Sequence, residues 1–178
     1  MIRFTSFATA LLISVAIWAE PATAQDYKIC ELESGDVAIA ACDRAIASGT
    51  LSSSNLAWAY HNRAVEYEVK KQFELATADY TRALGIDPNR AGSLVGRGNC
   101  YSSTGQYDRA TNDYNDALRI DPKSPNALQN RGFNFEKMKN YAKARADYKK
   151  ALEFPARGNS DRVSQERARA KLAELPAE

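Results

Sequence analysis

Small and aromatic residues recur along this chain at a spacing of 34 residues, with polar and charged stretches between them. The small positions are Ala64, Gly98 and Gly132, then Ala76, Ala110 and Ala144, then Ala83, Ala117 and Ala151. The aromatic positions are Tyr67, Tyr101 and Phe135, then Phe73, Tyr107 and Tyr141, then Tyr80, Tyr114 and Tyr148. A period of this length predicts a stacked array of helix-turn-helix units, an architecture that usually holds other molecules rather than transforming them. The pattern places helices near 56–70, 73–86, 90–104, 107–120, 124–138 and 141–154. Ser52, Ser53, Ser54 and Asn55 offer capping oxygens for a helix beginning near Leu56. Gly105 suits a helix C-terminus, and Lys71 and Lys139 stand at the equivalent turns. A stripe of tyrosine and phenylalanine is also what a base-stacking or cofactor platform needs, but its helical spacing opposite small residues favours a packed core.

Segments 57–90, 91–124 and 125–158 resemble the tetratricopeptide repeat, in which two antiparallel helices approach closely at small positions and bury aromatics between them. Two of the segments end alike, in Ala83-Leu84-Gly85-Ile86-Asp87-Pro88 and Ala117-Leu118-Arg119-Ile120-Asp121-Pro122, with a proline suited to restarting a helix. The third ends in Phe154-Pro155-Ala156, as expected where an array hands over to a terminal helix. Residues 161–175 carry apolar side chains at Val163, Ala168, Leu172 and Leu175 among Arg, Lys and Glu, which predicts a helix that caps the array. The resemblance implies an all-α, right-handed superhelical solenoid of antiparallel helix pairs. Its expected parts are a degenerate N-terminal helical hairpin over 25–55, three repeats within 56–158, and a capping helix and tail over 159–178.

The N-terminus predicts a leader. Arg3 precedes an uncharged apolar run from Phe7 to Ala19, and Ala22-Thr23-Ala24 suits signal peptidase, so cleavage is expected before Gln25. The run is short for a membrane span, which takes about 20 apolar residues; a retained anchor is the alternative. With the leader cleaved, no membrane insertion is expected, and the form of the leader and the composition point to a periplasmic or secreted protein. An oxidising compartment permits disulfides. Between Cys30 and Cys42, Ser34-Gly35-Asp36 reads as a turn and Val37 to Ile46 as a helix, so the chain doubles back and can pair these two cysteines. That helix resembles the second helix of a repeat, with Ala38 and Ala45 at small positions and Cys42 at an aromatic one. A bridge closing so short a loop contributes on the order of 3 kcal/mol in the chain-entropy model. Cys100, inside a predicted helix, reads either as a buried small hydrophobe or as an intermolecular bridge that would make homo-oligomers.

Charge adds one pattern. The formal net charge is +2, and basic residues are interspersed with acidic ones, so no face for nucleic acid is predicted. Arg63, Arg97 and Arg131 each precede a small position, and Asp79, Asp113 and Asp147 follow them by 16 residues. Antiparallel helices bring such residues within reach, as structural ion pairs or as an anion-binding ladder.

Groups suited to catalysis are scarce, so the chain reads as a non-enzyme with no cofactor and no metal. His61 is the only histidine, which rules out a multi-histidine metal site or an ordinary serine triad. Gly96-Arg97-Gly98 mimics a dinucleotide motif but lies mid-helix with no preceding strand. Asn112 to Asp116 lacks the glycine and terminal glutamate of a calcium loop. Function is therefore expected in a groove. In proteins this chain resembles, the first helix of each repeat lines a concave groove for an extended peptide or partner helix. By register that groove takes Trp58, His61, Asn62 and Val65, then Val95, Asn99 and Ser102, then Asn126, Gln129, Asn130 and Phe133. Side-chain amides both donate to and accept from a peptide backbone; a merely solvated polar face is the alternative. Family members that clamp a terminal carboxylate use lysines and an arginine where this chain has His61, Asn126 and Asn130, so that activity is not implied. A protein or peptide partner is expected, with self-assembly or an accessory role in an envelope complex as the alternative.

Overall fold

A computed structural model describes residues 22–176. Among them lie nine α-helices: α1 (Ala22–Leu32), α2 (Gly35–Ala47), α3 (Ser53–Val69), α4 (Phe73–Ile86), α5 (Ala91–Ser103), α6 (Tyr107–Ile120), α7 (Pro125–Lys137), α8 (Tyr141–Glu153) and α9 (Asn159–Glu174). The expected leader falls outside the described residues up to Pro21, and Ala22 to Ala24 open α1. No helix among the described residues is long and apolar enough to cross a membrane.

Helices pair antiparallel in chain order and stack into a solenoid. The first helix of each pair touches the first helix of the next, α1 on α3, α3 on α5, α5 on α7 and α7 on α9, and no such contact joins the second helices. The first helices therefore line the inner, concave side. The recurring alanines are fully buried or nearly so, and Tyr80, Tyr114 and Tyr148 lie beneath them with only their hydroxyl ends near the groove. Close packing explains the glycines at two small positions: a Cβ added to Gly98 or Gly132 would stand 2.8 Å from the ring of Tyr114 or Tyr148.

Helix ends follow from local chemistry. α3 opens at Ser53 rather than near Leu56, because Ser52 is the cap and its hydroxyl accepts the Asn55 N–H at 3.2 Å. The turns inside the three full pairs share one geometry, with Lys71, Gly105 and Lys139 at φ of 59°, 78° and 58°. The next N–H, of Gln72, Gln106 or Asn140, reaches back to the carbonyl of Tyr67, Tyr101 or Phe135 at 2.8 Å in each case, which satisfies the frayed end of the first helix.

Each repeat arginine is held by both ends of its fork. Arg97 donates through Nε and Nη2 to the two oxygens of Asp113, both at 2.8 Å, and Arg131 grips Asp147 in the same way at 2.7 Å. Arg63 grips Asp79 at 2.6 and 2.9 Å. The remaining Nη1 crosses to the preceding pair, at Asp43 from Arg63, Thr81 from Arg97 and Asn115 from Arg131. The ladder thus sets the stacking of one pair on the next, and its forks are filled by carboxylates of the chain itself.

The two ends are closed differently. At the N-terminal hairpin Cys30 and Cys42 form a buried disulfide, packed with Ala41 and Ala59 under Tyr27, Ile46 and Leu51. At the other end α9 packs on both α7 and α8, burying Ala168, while Gln165 donates to the Ala151 carbonyl at 3.0 Å and so covers the open end of α8. Cys100 is a free thiol with 0% exposure, packed with Ala64, Ala76 and Tyr80. An intermolecular bridge at Cys100 would need the core to open.

Candidate peptide-binding groove

One departure of the inner face from its own period falls on glutamate positions. Glu68 and Glu136 stand 68 residues apart, and Ser102 takes the position midway between them. Tyr80 donates its hydroxyl hydrogen to Glu68 Oε2 at 2.8 Å, and Tyr148 donates to Glu136 Oε2 at 2.9 Å. Tyr114 has no glutamate to meet. It donates instead to Asn99 Oδ1 at 2.9 Å, and Asn99 Nδ2 donates to Glu68 Oε1 at 3.1 Å. Burial raises the pKa of the Glu68 carboxyl, with the Tyr80 and Asn99 hydrogen bonds opposing that rise. The short Ser102 side chain leaves a hollow of about 210 Å³, lined by Glu68, Asn99, Ser102, Ser103, Tyr114, Asn130 and Phe133.

A second hollow, of about 310 Å³, opens beside it, between α7 and α9, against Gln129, Asn130, Phe133, Arg167, Ala170 and Lys171. Asn130 and Phe133 border both, so the two hollows share a wall. Phe133 carries cations on its flanks, with Lys137 Nζ 4.9 Å and Lys171 Nζ 5.8 Å from its ring centre. The contribution of α9 is absent from the expected groove set, which treats this helix as a cap. α9 begins 34 residues after α7, so Arg167 falls at the register of Phe133 and Asn99, and continuing the period by one more step would have found it.

The other expected groove residues divide by burial. Asn62 and Val65 are half-buried on α3, Val65 packing beside Tyr80. Val95 is buried in the core with Leu84 and Leu94. Asn126 reaches across to Ser160 and Ser164 of α9 at 3.4 and 3.3 Å, and Asn130 donates back to Asn126 at 3.3 Å, so these two amides hold α9 in place. His61 is turned into the seam between α3 and α5, with Nδ1 2.8 Å from Ser93 Oγ. Burial first, and then the nearby Arg90 charge, lower its pKa to about 4. Trp58, 45% exposed at the mouth of the groove, meets the His61 ring edge-on at 5.5 Å and has the Arg90 guanidinium 4.2 Å from its ring centre.

The inner face has little to offer as a reactive centre. Burial pushes the Cys100 thiol up to about 12, the reverse of what a nucleophile needs. Gly96 and Gly98 lie within α5, where they make room for tyrosine rings, and Asn112 to Asp116 lie within α6.

Sequence models agree on what this scaffold is. The tetratricopeptide repeat models match residues 57–90 and 125–154, and a third model for the same repeat matches 98–139. The chain carries tetratricopeptide repeats. Solved tetratricopeptide structures share the fold. The Sgt2 tetratricopeptide domain from Aspergillus fumigatus is 26% identical, covering 68% of this chain and 86% of its own, with a TM-score of 0.56. A tetratricopeptide repeat protein from Parabacteroides merdae is 22% identical over 86% of this chain and 59% of its own, with a TM-score of 0.64. The first tetratricopeptide domain of Spaghetti (RPAP3), solved with the HSP90 peptide SRMEEVD bound, is 20% identical over 67% of this chain and 95% of its own, with a TM-score of 0.56. No curated protein matches the chain at a significant level.

Proposed function

We propose that this protein is a non-catalytic scaffold whose concave groove, from Trp58 through Asn99 and Ser102 to Phe133, receives an extended segment of a partner protein. The observation that carries this reading is the hollow at Ser102. It is lined by amides and hydroxyls around an aromatic ring, with the Glu68 carboxyl already held by Tyr80 and Asn99, and such a lining can pair with a peptide backbone and bury a side chain. A tetratricopeptide domain of Spaghetti holding a peptide lends the reading support by analogy of fold. A terminal-carboxylate clamp is not proposed here, because His61 is spent on Ser93 and Asn126 on α9. A cleaved leader and residence in the periplasm or outside the cell complete the proposal, and the Cys30–Cys42 disulfide suits such a compartment. A photo-crosslinking residue placed at Ser102 or at the convex, exposed Asn112 tests the groove in cells that make the protein. Adducts from Ser102 alone are expected; equal capture from both positions would remove the groove assignment.

A second reading has its own observation. Leu32, Val37, Val69 and Leu75 are all exposed, Val69 by 72%, and all flank the turns between α1 and α2 and between α3 and α4 at one edge of the solenoid. An apolar edge of this kind favours assembly with other copies or with a larger complex. Light scattering across concentrations tests it, since a Val69→Ser/Leu75→Ser variant should stay monomeric where the wild type associates.

A further inference from the structure

We propose that the hollow between α7 and α9 is a side-chain subsite for a partner segment that presents a large apolar residue and, two positions along, an aspartate or glutamate. The proposal rests on the groove reading and names the chemistry of its C-terminal end. Two independent observations converge there.

The first is Gln129. It is only 5% exposed, it lines the hollow, and its Oε1 has no hydrogen-bond partner. Buried carboxamide oxygens are ordinarily satisfied, and what sets this one apart from Asn134 Oδ1, which also lacks a partner, is that Gln129 lines a hollow and Asn134 lines neither of the two. An acceptor left open at a cavity wall is matched by an N–H donor that arrives with a ligand, and an extended backbone supplies one at every second residue on a given side.

The second is Arg167. Lys171, the other cation that lines the hollow, is engaged with Glu136 and Glu174. Arg167 lines the hollow, lies exposed at its rim, and has no carboxylate of the described residues within ion-pair distance. Its fork is free to take a carboxylate in the bidentate way that Arg97 takes Asp113.

Phe133 and Ala170 line the same hollow and give it an apolar wall for one large side chain. In an extended segment residues i and i+2 project to the same side about 7 Å apart, so an apolar residue seated on Phe133 places an acidic neighbour at the Arg167 rim while Gln129 accepts the intervening backbone N–H. Lys137 and Lys171 beside Phe133 add to the positive field that draws such a segment in.

The test is an array of end-blocked decapeptides in a Ser/Thr background, carrying every pairing of residues at i and i+2, with fluorescence anisotropy on the strongest binders. Leu-x-Asp and Phe-x-Asp peptides are expected to bind about tenfold tighter than their Asn counterparts, the discrimination of one charged hydrogen-bonded pair. Arg167→Gln should abolish that preference and leave the Asn peptides unchanged. Gln129→Leu should weaken all of them about tenfold while holding or raising the melting temperature, because an orphaned buried amide is removed. Selected peptides that respond to an Asn99→Ala/Ser102→Phe variant but not to Arg167→Gln or Gln129→Leu would overturn the subsite and leave the groove standing. Binding indifferent to all of these variants, or absent altogether, would overturn the groove reading with it.

Discussion

The ring of Tyr80 occupies the space that a side chain at Gly96 would need. A Cβ built on Gly96 would stand 2.3 Å from Tyr80 Cζ, and the ring cannot swing aside freely, since it is 1% exposed and its hydroxyl is held by Glu68. Gly96→Ala should therefore destabilise the protein by about 1 to 3 kcal/mol, the range for overpacking a filled core. Gly92 provides the control one turn earlier in α5, where the nearest atom to an added Cβ is His61 Cε1 at 3.5 Å, an ordinary contact. Gly92→Ala should be neutral or stabilising by up to about 1 kcal/mol, through reduced freedom of the unfolded chain. Thermal melts followed by circular dichroism check both, and equal melting temperatures for the two variants would refute the account of Tyr80.

The arginine ladder makes a prediction about geometry more than about strength. Asp113 is 7% and Arg97 20% exposed at the side chain, between a surface pair and a fully buried one. Asp113→Ala leaves the Arg97 fork unpaired and should cost about 2 kcal/mol, while Arg97→Met/Asp113→Leu should recover most of that loss. Urea denaturation separates the outcomes. If the double variant were no more stable than the single one, the pair would be contributing stability rather than setting the stacking of α5 on α4.

The architecture was legible in the sequence because its cause repeats: Ala64, Gly98 and Gly132 must each admit a neighbouring helix, and Tyr80, Tyr114 and Tyr148 must each fill the space beneath. The hollows of the inner face were legible only where lining and register coincide, as at Asn99 and Phe133. His61 has the register of a groove residue, but Ser93 on the next helix provides a hydroxyl that draws it inward. Gln129 shares that register and ends up buried against α9, a helix whose apolar pattern reads as a cap. Ser102 is the instructive case. Its meaning lies in the glutamates one period before and after it, which leave a gap only because the tyrosines beneath are invariant across the three repeats.

Two lysines adopt the backbone conformation of a glycine. Lys71 and Lys139 hold positive φ at the turns where Gly105 holds it in the middle repeat, and left-handed backbone costs an L-residue about 1 to 2 kcal/mol. Glycine relieves that cost and returns part of it as unfolded-state entropy. Lys139→Gly should raise stability by about 0.5 to 1 kcal/mol, and Gly105→Ala should lower it by about 1 kcal/mol. Both shifts should appear in the urea midpoint with an unchanged slope.

His61 should give the protein an acid-side sensitivity that its carboxylates do not explain. Its neighbours Trp58, Tyr80, Ser93 and Arg90 include no carboxylate, and burial first, then the Arg90 charge, hold the folded-state pKa at about 4 against an ordinary 6.5. Between those two values the unfolded chain binds the proton and the folded chain does not. Stability from this residue is therefore complete above about pH 6.5 and is lost as the pH falls towards 4, by up to about 3 kcal/mol at 1.36 kcal/mol per pKa unit. His61→Gln keeps a hydrogen-bonding group opposite Ser93 and cannot titrate, so its stability should fall less over the same window. The shared carboxylates, Glu68 among them, cancel in the comparison. Urea midpoints at pH 7, 6, 5 and 4.5 for the two proteins give the difference directly. A wild-type curve running parallel to that of His61→Gln would mean that the imidazole titrates in the folded state as it does in water, and that the seam between α3 and α5 admits solvent.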